Sequence, residues 1–321
     1  MSATTQYTTF SDLYTGLQQA ARVTTGVTAT ENQAKRYINI ALQDMHLGQG
    51  EKFPWAERSA ILVTHPGYST GTLTATKGST TITGSGTAWN TNNDFSVANM
   101  RAGGKIRING GVEIYEISSV GSDTSATLTS RFTQTTVSGA SYVYFEDEYA
   151  LASDFLRPID LRQFSDGIEI ELIQRTEFRR RYPRNYIIGK PEVACLIDKA
   201  PSGSTTLVRK IVFHKPPDAA YSIPYSYVTG NLVVSSAGAA QTGFSADGDE
   251  PIVPLRYRHA ILLHALYNWY CDQKDDSRSG EVQAEYTNLM VRIMGDFDNG
   301  TGRPQFRPRV SNYASRARRP W

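Results

Sequence analysis

Two short acidic clusters are the residues of this sequence best suited to bind a divalent cation or to transfer protons. They are the runs Glu146–Glu148 in "FEDEY" and Asp247–Glu250 in "DGDE". Neither run has the ligand spacing of an EF-hand loop. We therefore interpret both as solvated loop carboxylates.

Histidine and cysteine residues give no stronger sign of catalysis. His259 and His264 lie five positions apart in one predicted helix, so their side chains point about 140° away from each other and are poorly placed to share a metal. Cys195 and Cys271 lie in apolar segments, which predicts two buried thiols. Phosphate-binding loops, nucleophile elbows and zinc-protease motifs are not found. The sequence therefore predicts a protein that is not an enzyme and that binds no metal or cofactor.

The densest basic segment before the C-terminal end is "EFRRRYPRNY". In it, Arg179, Arg180, Arg181 and Arg184 are interleaved with aromatic residues. Arginine and tyrosine are enriched in protein interfaces, and basic residues among aromatic rings also occur in proteins that bind single-stranded nucleic acid. Three interpretations stay open: a solvated charged loop, a protein interface, or direct contact with nucleic acid.

The last sixteen residues, "FRPRVSNYASRARRPW", combine positive charge with aromatic rings and show no periodicity. Fixing the backbone costs about 1–2 kcal/mol for each residue, and burial of three rings at best balances that cost. We therefore predict an extended arm that becomes ordered only on a partner, and a permanently solvated basic tail is the alternative. The predicted anchors are Phe306, Tyr313 and Trp321, and the predicted charge partners are Arg307, Arg309, Arg316, Arg318 and Arg319.

The chain as a whole has too little net charge to bind a polyanion through bulk electrostatics. Its 321 residues include 33 Lys and Arg against 31 Asp and Glu, which gives a formal net charge of +2. The first residues lack the basic start and apolar segment of a signal peptide. No apolar run approaches the ~20 residues that span a bilayer, so we expect no membrane partner.

Helical periodicity marks both ends of the chain. Residues 9–48 contain two apolar stripes, the first capped by Thr9 and the second starting in a predicted capping box at Thr28. Two more helices are predicted within residues 254–297, and Pro254 suits the first turn of the earlier one.

Between these helical pairs the sequence has the period-two alternation of strands. Residues 71–146 are rich in Thr, Ser and Gly, and Asn109-Gly110 separates two alternating runs as in a tight hairpin. This segment predicts a small all-β module of five or six strands. Residues 149 to about 234 show mixed short strands and turns punctuated by prolines.

These patterns together predict an α+β fold. It consists of a helical core of two N-terminal and two C-terminal helices, an inserted small all-β module and an extended C-terminal arm. The predicted parts are residues 1–70 for the N-terminal helical part, 71–146 for the β module, 147–300 for the mixed β segment and the helices that complete the core, and 301–321 for the arm.

The order of these parts resembles the head-to-tail adaptor proteins of short-tailed bacteriophages. The likeness depends also on short phrases such as "PPDAAYSIPYSY" and on the Asp-rich end of "PLRYRHAILLHALYNWYCDQKDD". It implies a structural virion protein at the head–tail interface, assembled in the host cytoplasm as a ring of about twelve copies. The implied partners are other copies of the chain, the portal protein above and a nozzle or tail-tube protein below, with tail fibres as a further candidate. Genomic DNA would pass through the ring without sequence-specific binding.

Two other classes of protein stay open as alternatives. The β module also resembles modules of phage tail and fibre proteins, so the chain could be a nozzle, tail-tube or fibre-attachment protein. The alternative among enzymes is a cell-wall hydrolase active during infection. Glu148 and Glu171 are isolated carboxylates, however, and the sequence gives no spacing that would support the required pair.

Overall fold

The computed structural model describes residues 7–47, 53–161, 170–201 and 204–297. The chain divides into two compact units. The first unit is formed by residues Met1–Ala56 and Asn231–Trp321, and the second by Glu57–Gly230. The first unit is thus built from both ends of the sequence, and the second is one continuous segment.

The described residues form five α-helices and seventeen strands. The helices are α1 (Phe10–Ala20), α2 (Thr28–Leu47), α3 (Arg175–Arg181), α4 (His259–Asp272) and α5 (Asp276–Phe297). The strands are β1 (Glu57–Val63), β2 (Thr72–Ala75), β3 (Thr81–Ser85), β4 (Lys105–Ile108), β5 (Ile114–Ser122), β6 (Ser125–Leu128), β7 (Val137–Ala140), β8 (Tyr142–Phe145), β9 (Glu148–Ala150), β10 (Phe155–Leu161), β11 (Glu171–Leu172), β12 (Val193–Lys199), β13 (Val208–His214), β14 (Ser222–Thr229), β15 (Val233–Val234), β16 (Ala240–Gln241) and β17 (Glu250–Pro251).

Helix α4 lies at the centre of the first unit, where it contacts α1, α2 and α5. Its sequence is apolar on nearly all sides, and eight of its 14 residues are buried, including Trp269. Leu17 of α1 and Ile38 of α2 are also fully buried. The apolar stripes read from the sequence therefore face the interior of this unit, as expected for amphipathic helices.

Of the two helix caps predicted near the N-terminus, one is confirmed and one is wrong. Thr9 caps α1, and its side chain and that of Asp12 form a reciprocal capping box, so this prediction is confirmed. The predicted box at Thr28 is wrong, because α2 begins at Thr28 itself. The Glu31 N–H donates to the carbonyl of Val27, which places Thr28 inside the first helical turn.

His264 of α4 should make the stability of the first unit depend on pH. Burial lowers its pKa, and the Asp44 carboxylate, 3.4 Å from its Nε2, opposes this shift only in part. Below the ordinary histidine pKa of about 6.5, the unfolded chain therefore takes up a proton before the folded chain does, and stability is lost as the pH falls. We expect the melting temperature of His264→Phe to decline less between pH 7.5 and pH 5 than that of the wild type. His259→Phe, at an exposed position of the same helix, is the control, and equal slopes for all three proteins would contradict the expectation.

The Thr- and Gly-rich segment of the second unit forms one antiparallel sheet of seven strands, in the order β7-β2-β3-β6-β5-β4-β8. Alternate residues of β2, β4 and β6 are buried, which is the period-two pattern of a sheet with one face on a core. Asn109 and Gly110 have φ angles of 51° and 64°. The tight turn predicted between β4 and β5 is therefore confirmed.

Strands β7 and β8 lie at opposite edges of this sheet, although only Ser141 separates them in sequence. Consecutive Cα atoms are about 3.8 Å apart, so the sheet must curl until the end of β7 meets the start of β8. The result is a half-barrel with a filled interior. Trp89 is fully buried there, and its indole N–H donates to the Tyr142 hydroxyl at 2.9 Å.

Two smaller sheets complete the second unit. One has the order β1-β14-β10 and the other the order β11-β12-β13-β9. Leu62 and Ile223 from the first sheet and Ile211 and Phe213 from the second belong to the same buried cluster, so the two sheets share a core. The remaining short sheet, β16-β15-β17, belongs to the first unit.

The predicted fold class is therefore wrong. Among the described residues, seventeen strands in four sheets outweigh five helices, so the protein is mostly β and is not a helical core with a small β insertion. The proline-punctuated segment after the module forms further sheets, and the module itself has seven strands where five or six were predicted. Short strands have weak individual signals, because they bury their apolar face only after pairing with strands far away in sequence.

Candidate interaction surface

The predicted basic segment folds into helix α3 and the turn that follows it. Arg179, Arg180 and Arg181 lie on α3, Arg184 lies in the turn, and all four are exposed. Phe178, just before them in sequence, is buried and packs with residues of β12. The structure therefore brings the predicted arginines together on the outside of the second unit.

Arg175 belongs to the same surface but was not predicted from the sequence. It is exposed and precedes Arg179 by four positions, so both side chains project from the same side of α3. Its position could be recognised only from helix α3, and this segment was predicted as mixed strands and turns. We use the term arginine surface for Arg175, Arg179, Arg180, Arg181 and Arg184.

Most of the charge on the arginine surface is uncompensated. Within the part of the chain that the structure describes, Arg181 is its one member in an ion pair, with Glu177 one helical turn earlier. The other four guanidinium groups have no carboxylate partner among the described residues. Four unpaired arginines in ten residues are more than a solvated loop requires, and they favour a surface that receives anionic groups.

A cleft of about 440 Å³ lies beside α3 and is lined on its rim by Arg175 and Arg179. Phe178 and Tyr182 form part of its wall. The Tyr182 ring stacks on the His214 ring at a centroid distance of 3.6 Å. One face of this tyrosine is thus already covered within the chain.

Four of the residues that line this cleft, Lys105, Glu116, Asp147 and Glu148, belong to a network of lysines and carboxylates. Lys105 Nζ is 2.7 Å from Asp147 Oδ2 and 3.1 Å from Glu148 Oε1. Lys199 Nζ is 2.9 Å from Glu148 Oε2 and 2.8 Å from Glu116 Oε2. These carboxylates are therefore held by lysines contributed from other strands.

Burial and charge shift the pKa values of this network in opposite directions. Burial raises the pKa of Asp147, which is only 2% exposed, although Lys105 opposes that shift. Burial alone would lower the pKa of Lys105, but Asp147 and Glu148 outweigh it and the net shift is upward. Burial would also raise the pKa of Glu148, and Lys105 and Lys199 reverse this to a lowered value. The partners thus favour the charged forms of Lys105 and Glu148, whereas for Asp147 burial outweighs its partners.

The prediction of solvated carboxylates is wrong for the first acidic cluster and for Asp249 of the second, whereas Asp247 and Glu250 are exposed as predicted. In the first cluster Glu146 pairs with Arg101, next to the paired Asp147 and Glu148. In the second, Asp249 is buried and accepts backbone N–H groups of the preceding turn, and Glu250 lies 3.2 Å from Arg258. These acids stabilise the fold through local contacts.

The cysteines differ from each other. Cys195 is buried in the cleft wall, as predicted, and burial raises its pKa to about 11, which disfavours a nucleophilic thiolate. Cys271 is exposed, so its prediction as a buried thiol is wrong.

His259 stacks on Tyr7, away from the Asp44 partner of His264.

Neither a metal centre nor a membrane span emerges from the described ranges. No group of three or more His, Cys, Asp or Glu side chains there could hold a metal ion. No helix in those ranges has the length and apolar character needed to cross a bilayer.

The predicted arm lies outside the described residues. This applies to all of its predicted anchors and charge partners, namely Phe306, Arg307, Arg309, Tyr313, Arg316, Arg318, Arg319 and Trp321.

Comparison of the chain with protein-family models and with curated proteins finds no match in either case.

Proposed function

We propose that this chain is a structural virion protein, the head-to-tail adaptor of a short-tailed bacteriophage. Its copies form a ring beneath the portal, join the capsid to the tail and leave a channel for the genome. The portal protein, a nozzle or tail-tube protein and tail fibres are its proposed partners. The protein acts through its surfaces and catalyses no reaction.

The observation that carries this proposal is the packing of the two chain ends. Helices α1 and α2 from the N-terminal part contact α4 and, through it, α5 from the C-terminal part, in one unit. The whole of Glu57–Gly230 is inserted between them. This is the order of parts on which the resemblance to adaptors depends, and it supports the proposal although the β content is larger than predicted.

The exposure of α5 also supports an assembly role. This helix has 22 residues, yet only Ser279, Met290 and Ile293 are buried. Val291, on the opposite side, is 67% exposed. A helix with one narrow packed side has a free surface on which another molecule can dock.

Charge supports a protein partner over a tightly bound genome. The formal net charge of the whole chain is +2, and phosphate binding depends on many lysines and arginines acting together. A ring with weak affinity for DNA lets the genome leave. The arginine surface is a local cluster, and local clusters of arginine are a feature of protein interfaces.

A second candidate function is another component of the phage tail, such as a nozzle, tail-tube or fibre-attachment protein. The observation that favours it is the predominance of strands in the described residues. In that case the half-barrel sheet would be the central element and the helices would be accessory. Direct binding to the portal separates the two candidates, since a nozzle or fibre anchor would need an adaptor between itself and the portal.

Native mass spectrometry of the purified protein, alone and with the portal protein of the same phage, tests the adaptor proposal. We expect a monomer or weak oligomers for the protein alone and a closed ring of copies on the portal when both are present. A protein that stays monomeric and does not bind the portal would exclude an adaptor. Ring formation on another tail protein, without portal binding, would instead support the second candidate.

A further inference from the structure

Two carboxylates on the free side of α5 are unpaired. Glu281 and Glu285 are exposed and lie four positions apart. Among the described residues neither forms an ion pair. Because 3.6 residues complete a helical turn, both side chains project from one side of α5, away from the buried Met290 and Ile293.

The spacing of these carboxylates matches that of two unpaired arginines on α3. Arg175 and Arg179 are also exposed and four positions apart, so in both helices the two charges are separated by about 6 Å along the helix axis. A pair of guanidinium groups and a pair of carboxylates with the same repeat can form two charge-assisted contacts at once. The two helices are therefore complementary in charge and in spacing.

The free side of α5 also allows another helix to approach closely. A Cβ atom added at Gly280 or at Gly295 would have no other atom within 4 Å. Val291 lies between these glycines on the same side and is 67% exposed. Val291 lies about 80° around the helix from Glu281 and about 120° from Glu285, so it belongs to a second exposed face beside the carboxylates.

The surroundings of Arg175 and Arg179 favour a protein carboxylate over a nucleic-acid phosphate. The lysines of the adjoining network are already paired with Glu116, Asp147 and Glu148, so they offer no free cation to a chain of phosphates. The Tyr182 ring in the cleft wall is stacked on His214, so it does not offer two open faces to a base. Single carboxylates on a helix avoid both difficulties.

We propose that α5 of a second copy of this chain docks on the arginine surface, with its Glu281 and Glu285 paired to Arg175 and Arg179. The contact joins two different surfaces, so it repeats from copy to copy and can close into a ring. This inference rests on the proposed function, in that the copies are expected to assemble, and it names the residues that join neighbouring copies.

Charge reversal tests the contact. We expect Arg175→Glu with Arg179→Glu, and separately Glu281→Arg with Glu285→Arg, to weaken association between copies roughly 100-fold, because like charges then face each other. A variant with all four reversals restores opposite charges at every contact and should assemble like the wild type. Association is measured by native mass spectrometry with the portal present, and melting curves verify that each variant is folded.

The matched control is Arg180→Glu with Arg184→Glu, which reverses two other members of the arginine surface. We expect this variant to assemble nearly as well as the wild type. Folded double variants that assemble normally, or a folded four-fold variant that does not recover, would overturn the inference and leave the adaptor proposal standing.

Disulfide trapping decides the inference even if the portal does not bind. Cys195→Ser and Cys271→Ser first remove the native thiols, and Arg179→Cys and Glu285→Cys are then introduced. Mild oxidation with copper phenanthroline of the protein alone, at high concentration, should give a ladder of covalently linked copies on a denaturing gel. Linkage no greater than that of an Arg184→Cys and Glu285→Cys control would refute the contact, whatever the portal experiment shows.

Discussion

Replacing Lys105 with methionine is expected to destabilise the protein by about 3–5 kcal/mol, the cost of removing one partner from a buried ion pair. Lys105 provides the cation for Asp147 at 2.7 Å and for Glu148 at 3.1 Å. Asp147 is 2% exposed, so its carboxylate cannot regain the lost interaction from water. Urea unfolding followed by tryptophan fluorescence gives the free energy of unfolding from the midpoint and slope.

The control for this experiment is Lys77→Met, because Lys77 is an exposed lysine of the same module and should change stability by no more than about 0.5 kcal/mol. Adding Asp147→Leu to Lys105→Met removes the stranded carboxylate and should recover a large part of the loss. If Lys105→Met alone unfolds at the same urea concentration as the wild type, the network does not contribute in the way its geometry indicates.

Removal of residues 305–321 is expected to abolish or strongly weaken attachment to the assembly while the melting temperature stays nearly unchanged. The reason is that the free-energy cost of ordering the backbone of the arm is at best balanced by the gain from burying its three aromatic rings. A partner that supplies pockets and carboxylates can shift this balance. Co-sedimentation with the portal measures attachment, and differential scanning calorimetry measures the melting temperature.

Two substituted full-length chains separate the roles of rings and charges in the arm. One carries Phe306→Ala, Tyr313→Ala and Trp321→Ala and keeps every arginine, whereas the other keeps the rings and replaces the five predicted charge partners, Arg307, Arg309, Arg316, Arg318 and Arg319, with glutamine. We expect both to bind the portal more weakly than the wild type. A truncated chain that melts well below the full-length protein would mean that the arm packs on its own subunit.

The helices could be predicted from the sequence because their signals are local. The stripe from Phe10 to Leu17 and the cap at Thr9 lie within one helix, and both are confirmed. The hairpin turn at Asn109-Gly110 is similarly local, since both residues adopt the positive φ that this dipeptide tolerates.

The amount of sheet could not be predicted in the same way, because strands are stabilised by partners far away in sequence. Strand β1 (Glu57–Val63) pairs along its whole length with β14 (Ser222–Thr229), and no local pattern indicates that partner. The seven-residue strands β12 and β13 pair with each other as near neighbours, and they fall in the segment that was predicted as mixed short strands punctuated by prolines. The helices were therefore given too large a share of the fold.

The charged residues of the candidate site show the same limit. The exposed position of the arginines in "EFRRRYPRNY" agrees with the sequence pattern, but Arg175 required knowledge of helix α3. Lys105 and Asp147 are 42 positions apart. The sequence therefore could not show that carboxylates of "FEDEY" form ion pairs with lysines from other strands. Ion pairs over such separations become visible only when the strand order is known.

The single residue between β7 and β8 has a consequence for how the module can meet other molecules. Where the end of one edge strand meets the start of the other, the sheet presents little open backbone to a visiting strand, so recruitment of a foreign chain by strand addition is disfavoured at that corner. A molecule that recognises this corner of the module would do so through the tips of its turns or through side chains on its outer wall. Such contacts tolerate sequence change better than backbone pairing does, which suits a part that could adapt to new neighbours while the interior around Trp89 stays the same.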